Sequence, residues 1–453
     1  MKKLNLLMAV LFASLVIVSC KNNDDDPEPD QPKGAETLSG NITTNTTLTA
    51  NKVWTLEGYV RVMDGVTLNI EAGTIIKGKK ASGSILNSAL IIERGGKINA
   101  AGTAANPIVF TSSQPVGSRS IGDWGGVVIC GKSRTNIAGG VGQYENGILG
   151  TGIAQYGNAT ADLNDNSGVF KYVRIEYAGV AIQPDRELNG LTLAGVGAGT
   201  VIENVQVSFS GDDSFEFFGG NVNCKNLIAY RGTDDDFDFE FGYAGNIQFG
   251  IAIKDPTIAD AAGASNGIEC DNGTNEGDLP ANRPVLSNFT FIGSGAGSND
   301  KHNSGVLFRK GTQFVLVNSI IANHLKGGVE IATAQAGTNL VNGSSILKNN
   351  LIFAIANPFK VSSNAFAGVA ADFQTFATNV ANNNTTAASL AAIGFTSTDI
   401  TAPNLTLATG STAKTGASFT GITGFESVEF KGAMNTTNWA AGWANFSPNT
   451  AVY

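Results

Sequence analysis

Histidine is nearly missing from this chain: His302 and His324 are the only two in 453 residues. Neither stands at a metal-ligand spacing or beside a serine nucleophile, which argues against histidine-based acid–base or triad chemistry. Cysteine is scarce as well, with four residues and no C-x-x-C or Cys/His pattern, so no zinc module is encoded. Charged residues make up 15% of the chain, and acids outnumber bases 38 to 29 for a net charge of −9. A chain so poor in basic residues is not built to hold nucleic acid. Beyond the first twenty residues no apolar pattern with a 3.6-residue period is sustained, which excludes a helix-dominated enzyme.

What is present is glycine, 56 residues of it, with frequent Asn and Thr, a mixture suited to short strands joined by tight turns. The decisive pattern is a repeat. GDDSFEFFGG at 211–220 returns 22 residues later as TDDDFDFEFG at 233–242, with five identities and one Glu-to-Asp exchange. A period near 22 with strand-like alternation is too short for a helical-hairpin array and fits one turn of a parallel β-solenoid. Residues one period apart then become neighbours on adjacent coils.

Amide residues precede short apolar stretches throughout: Asn204, Asn226, Gln248, Asn288, Asn318 and Asn350. The spacing predicts an amide ladder hydrogen-bonded along the stack, with turn-marking asparagines as the alternative. The looser stretch at 132–166 reads as a long loop projecting from one coil, with shorter excursions at 255–265 and 272–283. Trp439, Trp443, Phe446 and Tyr453 crowd the C-terminal tail and are expected to cap the last coil, with Trp54 playing that part at the other end. DLNDNSG at 162–168 misses the calcium-loop register, and GVGAGT at 195–200 lacks a phosphate-loop lysine, so both read as turns. Of the cysteines, Cys224 and Cys270 fall at alternating apolar positions. Buried thiols are therefore expected for them and for Cys130, with pairing of two left open.

The segments VTLNIEAGTIIKG at 66–78, SALIIERGGKINAAGT at 88–103 and NPIVFTSS at 106–113 resemble the opening of right-handed parallel β-helix proteins related in fold to pectate lyases. DWGGVVICGKS, KYVRIEYAG at 171–179, ELNGLTLAGVGAGTVIENVQVS at 187–208 and the paired acidic segments resemble a family of bacterial β-helix lipoproteins and secreted proteins. The likeness runs from about residue 40 to the C-terminus. It implies an all-β fold, a right-handed single-stranded parallel β-helix with loop insertions, and brings no settled activity with it.

The N-terminus resembles a bacterial lipoprotein leader. Lys2 and Lys3 precede an apolar run from Leu4 to Val18, shorter than the ~20 residues that span a bilayer. The run ends in a lipobox-like Ile17-Val18-Ser19-Cys20. Residues 1–19 are then a signal peptide and Cys20 the acylated residue. The acidic, proline-bearing stretch that follows is a disordered tether to residue 37, similar to the surface-export signal of Bacteroidota lipoproteins. Residues 38–360 are assigned to the β-helix and 361–453 to C-terminal coils and cap. Losing Lys2 and Lys3 leaves 27 bases against 38 acids, a net charge of −11, so attachment to the outer membrane must come from acyl chains.

Alternation places Phe215, Phe217, Phe237, Phe239 and Phe241 inward and Glu216, Asp238 and Glu240 outward. Aligning the closing glycines adds Glu269 and Asp271, then Arg309, and later Glu330, to the outward set. Carboxylates ~4.8 Å apart on neighbouring coils repel, so Glu216, Asp238 and Glu269 are expected to share a cation, share protons or pair with Arg309. The turn acids Asp212, Asp213, Asp234, Asp235 and Asp236 form a second cluster beside them. The two sets together are oxygen-rich enough for Ca²⁺, with Glu216, Asp238 and Glu269 as candidate ligands. Two functions follow. One is a non-enzymatic surface lipoprotein that presents this face to a glycan or to an outer-membrane transporter. The other is a glycoside hydrolase or polysaccharide lyase, with Glu216, Asp238 and Arg309 as candidate catalytic residues and Lys310 as a second possible base.

Overall fold

A computed structural model of the chain describes residues 34–453 apart from 83–86, 148, 184–185, 363–364 and 367–371. The leader, Cys20 and the tether up to residue 33 lie outside the described residues. The first strand, Gly34–Ile42, begins inside the stretch assigned to the tether. Among the described residues no helix is long and apolar enough to cross a membrane.

The described residues build a right-handed parallel β-helix whose strands join into one 27-stranded sheet wound into three faces, with three two-stranded antiparallel sheets beside it. A first face carries Thr67–Ile70, Lys97–Ala101 and the leading halves of Gly168–Glu176, Val201–Ser208, Cys224–Tyr230 and Asn246–Ile253. The trailing halves of those long strands make the second face. The third runs through Gly126–Cys130, Leu191–Ala194, Phe215–Phe218, Phe237–Glu240, Ile268–Cys270, Ser304–Phe308 and Gly327–Ile331. The 22-residue step is realised there residue for residue, with Phe215 opposite Phe237 and Phe217 opposite Phe239. Their rings stack inside at 5.0 and 4.8 Å, each such pair adding roughly 0.5–1.5 kcal/mol beyond its buried area.

Of the expected amide ladder one rung forms among the described residues, from Gln248 Nε2 to Asn288 Oδ1 at 3.2 Å; the other asparagines recur for a different reason. The bend between the first and second faces falls on one residue per coil in the left-handed region: Tyr172, Asn204, Asn226, Phe249, Asn288, Asn318 and Asn349. Asparagine recurs there because its short polar side chain tolerates positive φ better than other non-glycine residues do. Gln248 and Asn350 therefore sit one place off the column, and Asn350 turns inward to bond the Leu316 carbonyl and Asn384.

The aromatic tail is a strap and not a cap. Residues 387–453 run back along the outer side of the second face, covering Ile228, Tyr230, Ile251, Ile253 and Ile320 with Leu405, Met434 and Trp443. Paired amide bonds hold it down: Gln248 to the backbone of Glu426 at 2.8 and 2.9 Å, Gln206 to that of Asn445 at 2.8 Å each, and Asn318 to that of Ser418 at 3.0 and 2.8 Å. Tyr453 ends beside Lys77, Arg174 and Glu176 of the early coils. The far end of the core is filled instead by Phe359, Phe366, Phe373 and Ala377, the last two on the short helix Phe373–Thr378. Trp54 faces the core near the front. Cys130, Cys224 and Cys270 are all buried and free.

Candidate functional site

The outward side of the third face is not open to solvent, as simple alternation implies. Its first outward column reads Val128, Thr192, Glu216, Asp238, Glu269, Leu307, Glu330 and Lys360 along successive coils. A second, two residues on, begins Cys130, Ala194, Phe218 and Glu240. The 132–166 segment folds down over both. Its strands Val141–Gln143 and Gln155–Gly157 pair as a hairpin, and Tyr144 and Tyr156 pack on Phe218 at 5.9 Å each. Glu93, bonded to Arg61, accepts the Ala154 amide and ties the insertion to an earlier coil. Glu216 is consequently only 4% exposed, while Asp212, Asp234, Asp238 and Glu240 are half-buried.

Phe241 departs from the expected inward set. The strand ends at Glu240, and a left-handed turn at Phe241 (φ 52°) breaks the alternation and throws the ring outward against Phe218.

The turn acids divide by role. Asp213 and Asp235 are buried and pass hydrogen bonds from coil to coil: Asp213 accepts the Asp235 amide at 2.9 Å, and Asp235 accepts the Asn266 amide at 2.5 Å. Asp236 lies 3.4 Å from the ammonium of Lys254, a fully buried cation that also donates to the Asp234 carbonyl. Burial still raises Asp236 to about 7, against the pull of Lys254.

Asp213, Glu216 and Asp238 each offer an oxygen within 4.8 Å of the others, as do Asp212, Asp213 and Asp234. Asp213 is common to both groups. Burial first, then the neighbouring acids, pushes the carboxyls of Asp212, Asp213, Glu216, Asp234 and Asp238 well above their ordinary range. Asp213 and Glu216 bring oxygens within 4.8 Å of each other, close enough for repulsion to favour the protonated form of one of them. Glu216 Oε2 accepts from Asn189 at 3.3 Å, whereas Glu216 Oε1 and Asp238 Oδ1 are buried with no hydrogen-bond partner among the described residues. Such orphaned acceptors are uncommon in folded proteins. This donor set, all carboxylate oxygen, fits a hard divalent cation such as Ca²⁺.

Glu269 does not join that group. Arg309 lies in the second column beside Asp271, but its guanidinium reaches across to Glu269 while Nε bonds Asp271 at 2.7 Å; Lys310 bonds the other Asp271 oxygen at 2.7 Å. Leu307 occupies the position in the Glu216 column that faces Glu269. Glu330 is separated from the cluster too. Hydrogen bonds from Ser304, Ser362 and Lys360 outweigh its burial and hold its carboxyl below the ordinary range.

Beside the cluster a cavity of about 540 Å³ opens between the insertion and the sheet, walled by Tyr156, Phe218, Phe241, Gln143, Glu145 and Glu240. Burial, with Glu187 and Glu240 nearby, raises Glu145 to about 8, and burial with Asp271 raises Glu240 to about 7. Glu145, Asn189 and Lys254 were not singled out from sequence. Glu145 lies in a non-repeating insertion with no periodic signal. Asn189 is legible only once Asn189-Gly190 is set over Asp213-Ser214, and Lys254 only as the charged end of an apolar strand.

The sequence pattern of the pectate-lyase-like β-helix domain matches residues 40–444. The chain belongs to that family. No curated protein and no solved structure matches it. The family covers the coils, the insertion over the third face and most of the strap, so these are parts of one pectate-lyase-like domain.

Proposed function

We propose that this pectate-lyase-like β-helix is a non-enzymatic, lipid-anchored surface protein whose third face holds Ca²⁺ and presents the adjoining cavity to a glycan. The observation that carries the reading is the Asp213–Glu216–Asp238 group, with its oxygens inside 4.8 Å and two of them buried without partners. A cation there answers both the repulsion among the acids and the orphaned acceptors. Asp212 and Asp234, half-buried at the edge of the group, supply further oxygens facing solvent. Anchoring through Cys20 to the outer membrane, exposure at the cell surface and a transporter partner rest on the leader sequence.

A second reading, a polysaccharide lyase or glycoside hydrolase, is favoured by the raised carboxyls of Glu145 and Glu240 in the cavity, since a general acid must hold its proton near neutral pH. Against it, Glu216 is too buried to touch a polymer, and Arg309 and Lys310 are engaged with Asp271 and, for Arg309, Glu269.

The test uses the soluble chain lacking residues 1–20, incubated with acidic and neutral polysaccharides with and without Ca²⁺. Reducing ends and the absorbance of unsaturated products are followed together with binding. Binding without turnover supports the first reading. New ends or unsaturated products that disappear in Glu240→Gln or Asp238→Asn establish the second.

A further inference from the structure

A second site lies on another edge of the stack and shares no residue with the acidic cluster. Where the second face ends, successive coils place Tyr177, Phe209 and Arg231 in left-handed conformations, with φ of 61°, 55° and 58°. Their side chains form a column. Tyr177 and Phe209 stack at 5.3 Å with an 11° interplanar angle, and the Arg231 guanidinium lies 4.9 Å from the centre of the Phe209 ring.

The strap closes the opposite wall. Asn449 accepts the Gly117 amide at 2.9 Å, and Pro448 accepts from Arg119 Nη1 at 2.7 Å. Between strap and coils remains a cavity of about 410 Å³, lined by Arg119, Tyr177, Phe209, Arg231, Thr401 and Phe446 among others. That is the size of a small-molecule site.

Beside hydroxyl and amide groups, the lining residues include three polar atoms left without partners. Tyr177 Oη, Arg119 Nε and Arg231 Nε are each buried and have no hydrogen-bond partner among the described residues. Tyr177 is 3% and Arg119 6% exposed, so neither group is satisfied by open solvent. Arg231 is ion-paired with Asp255 through Nη2, and Arg119 also lies 5.0 Å from the centre of the Tyr453 ring, which fixes both guanidinium groups in place. In the adjacent residue, Glu176, Oε1 accepts from Tyr453 Oη at 2.7 Å and lies 3.6 Å from Arg174 Nε, while Oε2 has no hydrogen-bond partner among the described residues.

Two guanidinium groups that can only donate, with a phenolic hydroxyl free to donate beside them, favour an acceptor-only group. We infer that the cavity between the strap and the Tyr177–Phe209–Arg231 column binds a small organic oxyanion, a carboxylate or a sulfate ester, with Arg119, Tyr177 and Arg231 as its donors. The strap is then part of a binding site as well as a cover for the second face. The acidic cluster takes a cation and this edge an anion, so one chain offers two sites of opposite charge preference.

The experiment is calorimetric titration of the chain lacking residues 1–20 with glucuronate, with glucose 6-sulfate and with neutral glucose at fixed ionic strength. Tyr177→Phe and Arg231→Gln are titrated in parallel, and thermal melts report folding. Tyr177→Phe removes one orphaned hydroxyl, so its melting temperature is expected to hold or rise while affinity for the charged probe falls about ten-fold. Arg231→Gln is expected to weaken binding at least as much. Binding of glucuronate alone identifies a carboxylate site, and of the sulfate alone a sulfate site. Binding of neither charged probe, equal binding of glucose, or unchanged affinity in a folded Tyr177→Phe protein would overturn the inference.

Discussion

Glu216 lies directly opposite Asp238 in the parallel register, and Glu216 Oε1 and Asp238 Oδ1 are both buried without a hydrogen-bond partner among the described residues. Two facing carboxyls so placed destabilise the fold unless a proton or a cation lies between them. Removing divalent ions with a chelator is therefore expected to lower the melting temperature, and Ca²⁺ to restore it. Glu216→Gln and Asp238→Asn relieve the repulsion, so each should melt higher than the parent chain in chelator and gain less from Ca²⁺. Differential scanning calorimetry of the three proteins with and without Ca²⁺ checks this. Identical melts in chelator and Ca²⁺ for the parent chain would falsify the cation site.

Much of this relationship was legible before the fold was known, because a 22-residue echo with a period-2 pattern fixes both register and side. Phe215 over Phe237 and Glu216 over Asp238 follow from it directly. What periodicity does not carry is cover. The burial of Glu216 comes from Tyr144 and Tyr156, on a non-repeating insertion that no coil spacing aligns. Across the insertions the register still sets Glu269 opposite Asp238, and of the fates open to it, a shared cation, a shared proton or Arg309, the pair with Arg309 is the one formed. The tail aromatics did mislead. Trp443 and Phe446 signal only that a large apolar surface needs covering, and both an open coil and the exposed side of the second face meet that description.

Arg309 joins Glu269 and Asp271, and Asp271 has no exposed side-chain surface. Burial works against the charge on Arg309, but the two carboxylates outweigh it and hold the guanidinium more firmly protonated than usual. Arg309→Met leaves Lys310 as the only cation paired with Asp271, and none with Glu269, among the described residues. The guanidinium is about one-third exposed, which tempers the cost to roughly 1–3 kcal/mol. Urea unfolding is expected to give a lower midpoint with an unchanged slope, and Arg309→Met combined with Glu269→Gln to recover part of the loss. A single variant as stable as the parent chain would show that the pair is neutral.

The strap makes a local prediction. Gln206 and Gln248 each donate to and accept from one strap residue, Asn445 and Glu426, and the coils beneath keep their own ladders. Gln206→Ala or Gln248→Ala is expected to cost about 1–3 kcal/mol. The loss should appear as local opening: faster hydrogen exchange at the amide of Asn445 or Glu426 and new proteolytic cuts between 387 and 453. Exchange unchanged at those amides would mean that apolar contact alone holds the strap.

The two histidines supply a pH dependence whose sign is fixed by their burial. His324 is 4% exposed, and burial, with Lys254 and His302 adding repulsion, depresses it to about 3; burial and Lys254 take His302 to about 4, although its Nε2 lies 2.9 Å from the Asp255 carbonyl. A base with a depressed pKa is neutral in the folded chain and takes up a proton on unfolding near pH 6.5. Stability is thus complete above pH 6.5 and declines as pH falls toward the folded value. Between pH 7.5 and pH 5.0, His324 alone removes about 2 kcal/mol. Asp236 and Glu240, raised to about 7, act in the opposite direction over the same range, so the parent curve by itself does not isolate the histidine. His324→Leu does, because it retains every carboxyl and lacks the titrating ring. Denaturant unfolding of both proteins at the two pH values is expected to show the parent losing about 2 kcal/mol more than the variant on acidification. Equal losses in the two proteins would mean that His324 takes up its proton without unfolding.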